Sequence, residues 1–313
     1  MSVQITEAFV KQYSANVFHL SQQKGSKLRP LVRNESQQSK ASFWDRIGAV
    51  VAQKKVSRHA DTPKMDTPHS RRRVTLSDYE YADLVDNEDK IRMLISPESE
   101  YAVAAMWALG RAMDDEIIAA ALGTAYAGEE GSTAVVLPTT QKVAAHDGTT
   151  TTGVNLNVRT LRKVKEKFDA NDVDESISRH FAIGSSQLQS LLGQTEVTNS
   201  DYAAVKALVM GEVNTFMGFN FVRTERLPRS AANVTYTVTN GLTGAGTGTI
   251  TAANSRRCIA WAQDGIILSV GEDIKARISE RDDKSYSMQV YACMGVGSAR
   301  IEEEKVVEVI CSE

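Results

Sequence analysis

The apolar positions of the chain change their spacing several times, and each change marks a change of element. Residues 1–42 scatter apolar side chains through a background of Gln, Ser, Lys and Asn, with helical spacing only at Phe9, Tyr13 and Val17. Such a segment buries too little apolar area to fold alone, so it is expected to order against something else. Residues 43–90 open on Phe43 and Trp44, with Ile47, Val50 and Val51 following. Residues 56–59 and 73–76 read as two strands, separated by turn signals at Thr62-Pro63 and Thr67-Pro68. A long polar hairpin follows, marginal in isolation and better placed across a neighbouring molecule.

Residues 97–122 predict one long helix. Ser96 suits the N-cap, Pro97 the first helical position, Glu98 and Glu100 the positive end, and Gly123 the stop. Its length would be about 39 Å at 1.5 Å per residue. Gly110, inside it, allows a slight bend or the close approach of another element. Beyond a Gly- and Thr-rich stretch, residues 158–169 predict a helix with Leu161, Val164 and Phe168 on one face. HFAIGS at 180–185 reads as a buried strand, and SQLQSLLGQ starts a short helix after it. Residues 201–213 look helical with Asp201 as cap, and 215–228 read as strands with Gly218 between them. Residues 230–257 alternate Thr, Val and Tyr around a Gly-rich turn, which predicts a surface hairpin. The stretch RRCIAWAQDGIILSVGEDIKARIS mixes strand and helix signals, with Ala260-Trp261-Ala262 packed. The tail reads as two long strands around a break at Gly295 and Gly297, and no internal repeat is visible. The whole predicts an α+β fold.

Composition sets bounds on this picture. The 313 residues are 42% hydrophobic and 24% charged, enough for one large domain or two modest ones. No run of 18 apolar residues lacks charge and the start does not resemble a signal peptide, so no membrane partner is expected and synthesis is expected in the cytoplasm. Cys258, Cys293 and Cys311 are widely spaced with no CxxC, which predicts reduced, buried residues in strands. Charge is uneven. Residues 1–77 carry 14 Lys and Arg against 5 Asp and Glu, a net +9, while the rest carries 22 against 34, a net −12. A basic arm on an acidic body suggests self-association.

Candidate chemistry is sparse. GLTGAGTGTI lacks the lysine of a phosphate-binding loop and reads as a flexible turn. His59 and His69, with Asp61 and Asp66 nearby, sit on an exposed segment that suits a metal poorly. No GxSxG, HExxH or Cys/His/Asn pattern occurs. No catalytic, cofactor-binding or metal residue, and no cofactor, is therefore assigned. The residues expected to carry function are charged contact candidates between subunits: Lys54, Lys55, Arg58, Arg71, Arg72 and Arg73 on the ribbon, and Asp114, Asp115 and Glu116 on the long helix. The basic set would meet the acidic surface of another copy, such as Asp78, Glu80, Asp83, Asp86, Glu88 and Asp89. A solvated face and a phosphate-contacting patch are the competing readings of Arg71–Arg73.

The order of these parts resembles the major capsid proteins of tailed bacteriophages, the Hong Kong ninety-seven type fold. SRHADTPKMDTPHSRRRVTLSDYEYADLVD followed by EYAVAAMWALGRAMDDEIIAAALG is similar to a podovirus-associated branch of that family. The resemblance implies an N-terminal arm at 1–42, an E-loop hairpin at 43–90, and a peripheral domain at 91–154 with a spine helix at 97–122. It further implies an axial domain at 155–260 with a surface hairpin near 233–252, and a return to the peripheral domain at 261–313. Function then follows as a structural protein of the virion, not an enzyme, assembling into hexamers and pentamers of an icosahedral head around double-stranded DNA. The implied partners are further copies of the chain, a separate scaffolding protein, a portal, an optional decoration protein, and DNA by weak non-specific contact. Two alternatives stay open. One is an encapsulin-like cage for enzyme cargo. The other is an enzyme whose acids and bases meet only in space.

Overall fold

The computed structural model describes residues 21–55, 57, 58, 61, 64–86, 98–146, 154–194, 215–240, 244–250 and 254–313. The helix expected at 201–213, the Ser96 cap and Pro97 lie outside the described residues, as do His59, Glu88 and Asp89. The chain forms two compact units. The larger holds Lys27–Ser77, Asp114–Gly271 and Gly297–Glu313, and the smaller holds Met1–Ser26, Asp78–Met113 and Glu272–Val296.

The larger unit is built on a six-stranded sheet in the order Lys142–Ala144, Val306–Ser312, Ser255–Ala262, Arg179–Ile183, Phe219–Arg223, Thr215–Phe216. Ser255–Ala262 pairs antiparallel with both of its neighbours, whereas Arg179–Ile183 and Phe219–Arg223 run parallel. Arg179–Ile183 is buried at every position, which explains its unbroken apolar run rather than an alternation. Helix Val158–Ala170 is capped by Asn157, whose side-chain oxygen accepts the Thr160 amide at 2.8 Å. It buries Val158, Leu161, Val164 and Phe168, and Phe168 meets Phe219 with ring centres 5.8 Å apart. Thr215–Phe216 turns into Phe219–Arg223 through Met217 and Gly218, both at positive φ (52° and 84°), the backbone that a two-residue hairpin requires. The Thr-rich hairpin is present as Val234–Asn240 paired antiparallel with Gly244–Ile250. The three cysteines are free, and Cys258 and Cys311 are buried.

A second sheet of the larger unit runs Ala41–Ile47, His69–Thr75, Ala125–Ala127, Thr133–Val135. This corrects the expected ribbon. Its outgoing strand is Ala41–Ile47, paired from Ala41↔Thr75 to Ile47↔His69, while Ser57 and Arg58, the described residues of the expected 56–59 strand, lie in no strand. The reason is the anchor: Trp44 packs on the core cluster of Val74, Ile267 and Ala299, while Ser57 and Arg58 are exposed. The late part of the expected arm also belongs to this unit. Leu28 and Val32 are buried, Arg33–Ser36 adds in parallel to Ile267–Val270, and the Trp261 indole N–H donates to the Leu31 carbonyl at 3.0 Å.

The expected break at Gly295 and Gly297 is absent, since Ser287–Arg300 is one continuous strand. Gly297 instead allows close approach: a Cβ there would lie 2.1 Å from the Thr75 carbonyl oxygen. The chain turns later, at 301–305, before Val306–Ser312. The stretch after Ser255 is two strands, Ser255–Ala262 and Ile266–Arg281, without helix.

In the smaller unit, Asp78–Val85 of strand Ser77–Val85 shares a sheet with the neighbouring parts of Ile266–Arg281 and Ser287–Arg300. The long helix is observed as Glu98–Leu122. Its half in this unit buries Ala105, Leu109 and Met113. Gly110 serves close approach: a Cβ there would sit 2.7 Å from the Gly25 backbone. Arg111 donates to Gln22 Oε1 at 2.9 Å and to the Gln23 carbonyl at 3.1 Å, and Lys24 Nζ lies over the Trp107 ring.

Candidate assembly surfaces

Period-two alternation decides what the basic ribbon shows to solvent. On His69–Thr75, Arg72 points inward and Arg71 and Arg73 point outward. Arg72 is 1% exposed, and its guanidinium donates to both oxygens of Glu303, at 2.6 and 2.7 Å, and to the Ile301 carbonyl at 3.2 Å. Arg46 joins the same turn, donating to the Ile301 carbonyl at 2.8 Å. Arg300, fully buried, donates to the carbonyls of Ala121 and Gly123 at 2.9 Å and of Val135 at 3.1 Å. A cation on the last carbonyls of the long helix complements its negative end. Glu303 thus sits among Arg46, Arg72 and Arg300, and binds the root of the ribbon to the turn at 301–305. Removing one partner of such a buried set typically costs about 3–5 kcal/mol. Neither Arg300 nor Glu303 was singled out in the sequence, although the cluster ARIEEEK before the final strand was a readable signal.

Arg71 pairs with its cross-strand neighbour Asp45 at 3.1 Å and lies over the Phe43 ring. Arg73 covers the Tyr126 ring at 5.2 Å. The strand pairing ends where the Gly48 amide donates to the Pro68 carbonyl at 2.9 Å. Beyond that point the described residues of 49–67 form no strand or helix and are exposed, among them Lys54, Lys55 and Arg58. Apolar side chains share that exposure: Ile47 is 68% and Val51 75% accessible, and Val50 and Met65 are also exposed.

The three acids of the long helix diverge. Asp114 is buried and accepts the Lys27 and Leu28 amides at 3.0 and 3.1 Å, which fixes the end of the arm. Asp115 forms a two-pronged pair with Arg226. Glu116 is half-buried. Arg72 and Asp114 are therefore engaged inside the subunit and offer no surface to a neighbour, a correction to their expected role. The exposed or half-exposed candidates are Lys54, Lys55, Arg58, Arg71, Arg73, Asp115 and Glu116.

In the smaller unit, strand Ser77–Val85 turns alternate residues outward: Asp78, Glu80, Ala82 and Leu84 are exposed, as is Asp86 just beyond. That face carries carboxylates and one large apolar side chain, with no basic residue from 78 to 86. Among the described residues no group of His, Cys, Asp and Glu is placed to hold a metal, and no helix is long and apolar enough to cross a membrane.

A family model described as phage capsid protein matches residues 5–313. No curated protein matches the sequence. The fold is similar to a solved capsid of Cyanophage P-SCSP1u, at TM-score 0.72 and 17% identity over 97% of this chain and 93% of that one. It is also similar to the head of Helicobacter pylori bacteriophage KHP40, at TM-score 0.70 and 10% identity over 99% and 98%. The capsid of Ralstonia phage GP4 gives TM-score 0.69 and 8% identity over 97% and 95%. At these identities the likeness shows the fold, which is of the Hong Kong ninety-seven type. With the family model covering nearly the whole chain, the chain belongs to the phage capsid protein family and is a major capsid protein, a repeated subunit of the phage head shell.

Proposed function

We propose that the subunits close into hexamers and pentamers of an icosahedral shell around double-stranded DNA, held together mainly by the ribbon. In this reading residues 43–90 act as the reaching hairpin and residues 1–42 as a lacing arm. Residues 155–260 gather around the symmetry axes, and the long helix is the spine over which a neighbour's ribbon lies. The observation that carries the reading is the ribbon tip, where Val50, Val51 and Met65 stand exposed beside Lys54, Lys55 and Arg58. An apolar and basic tip with no cover of its own fits a partner that is acidic and partly apolar. Asp78, Glu80, Leu84 and Asp86 of a second copy offer that chemistry. Each exposed ion pair contributes only about 0.2–1 kcal/mol. Repetition around closed rings multiplies such contacts into a stable shell. Assembly inside the host cytoplasm with a scaffolding protein, a portal and an optional decoration protein completes the proposal. DNA contact is weak and non-specific, because the body of the chain is acidic.

The test is a triple charge reversal, Lys54→Glu, Lys55→Glu and Arg58→Glu, followed by sedimentation. The folded subunit should persist with an unchanged melting point, since these side chains are exposed, while shell yield falls at least about tenfold. Wild-type shell yield from the triple variant would overturn the ribbon's role.

A further inference from the structure

The larger unit has a cavity of about 400 Å³ away from the ribbon, between helix Val158–Ala170 and strand Lys142–Ala144. One helix face supplies Lys163, Glu166, Lys167 and Ala170, and the strand side supplies Lys142, Val143, Ala144 and His146. His146 is 5% exposed, and its Nε2 lies 2.8 Å from Lys163 Nζ. Its backbone is fixed as well, because the Asn157 side chain that caps the helix donates to the His146 carbonyl at 3.2 Å. Three lysines and a histidine thus converge on one hollow, with Glu166 the one carboxylate among its described lining residues. Glu308 lies nearby but is engaged by Arg257 and by Lys142, the latter at a loose 3.7 Å.

We infer that this cavity binds a phosphate-type oxyanion, held by Lys142, Lys163 and Lys167 beside His146. A lysine ammonium has only donors, so at 2.8 Å it must donate to a neutral imidazole nitrogen. Two basic groups in contact oppose each other's charge, and burial together with nearby Arg159 already holds the Lys163 ammonium below the ordinary lysine value. An oxyanion in the hollow offsets that opposition. Lys163, whose ammonium keeps two further N–H donors beside the imidazole, donates to the anion. A tetrahedral anion has enough acceptors for all three ammonium groups, and charge-assisted bonds of this kind are the strong ones. The volume accommodates a phosphate with its first waters. Two sources share this chemistry: free inorganic phosphate, and a phosphodiester of nucleic acid within the shell.

The test titrates the full chain with inorganic phosphate, against chloride at matched ionic strength, and separately with a short DNA duplex. Binding is read by protein melting and, for phosphate, by phosphorus NMR line width. Phosphate should raise the melting point beyond matched chloride. Lys163→Met and Lys167→Met should each weaken binding about tenfold, and in chloride the melting point of Lys167→Met should stay near wild type. Lys167→Met keeps the test decisive if Lys163→Met fails to fold, since Lys167 has no partner in the hydrogen-bonded pair. Phosphate binding lost in the variants assigns the site to the free ion, and duplex binding lost in them assigns it to nucleic acid. Equal response of wild type and variants to both probes, or no response beyond chloride, overturns the inference.

Discussion

His180 lies on a central strand of the six-stranded sheet, beside Trp261 with ring centres 5.6 Å apart, and neither ring nitrogen has a hydrogen-bond partner among the described residues. Burial pushes its imidazole below the ordinary value of 6.5. The folded state therefore resists a proton that the unfolded chain accepts. Stability is full above pH 6.5 and falls as pH drops from there toward the depressed folded value. Urea unfolding across that window should show the decline, and His180→Leu should flatten it. An identical slope in the variant would remove His180 as the cause. Residue-scale features of this kind were the least legible in the sequence. His180 is one letter in an apolar run, and Arg72 one of three identical neighbours, until pairing register decides which face is inward. Asp114 reads like Asp115 in sequence, yet one anchors the arm's amides and the other meets Arg226 at the surface.

At the scale of elements, the long helix, helix Val158–Ala170 and the Thr-rich hairpin were readable because local periodicity and caps specify them. The ribbon's outgoing strand and the tail were misplaced for a shared reason: both depend on contacts distant in sequence. Trp44 anchors its strand on Val74, Ile267 and Ala299, and Gly297 lets its strand pass the Thr75 carbonyl. A glycine in a strand signals either a break or a close approach, and only the partner distinguishes them. The distinction is testable. Gly297→Ala should destabilise the subunit by about 1–3 kcal/mol or more, seen as a melting point lower by several degrees. Gly193→Ala is the control, because its Cβ would meet only ordinary contacts at 3.5 and 3.6 Å. Equal melting points for the two variants would refute the close-approach account.

For the whole molecule, the family was the legible feature, and the phage capsid model matches residues 5–313. The uneven charge, +9 over residues 1–77 against −12 over the rest, was legible as well. What sequence could not show was how that basic segment divides. Leu28, Val32 and Trp44 are built into the subunit's own core, whereas Val50, Val51, Lys54, Lys55 and Arg58 stay outside it. The first set makes the segment part of the subunit, and the second leaves it exposed as the proposed surface for another copy. Electron microscopy of the purified protein, alone and with the proposed scaffolding protein, tests this most directly. The account predicts closed shells or capsid-like particles built from rings of five and six subunits. Monomers alone at high concentration in both preparations would contradict it.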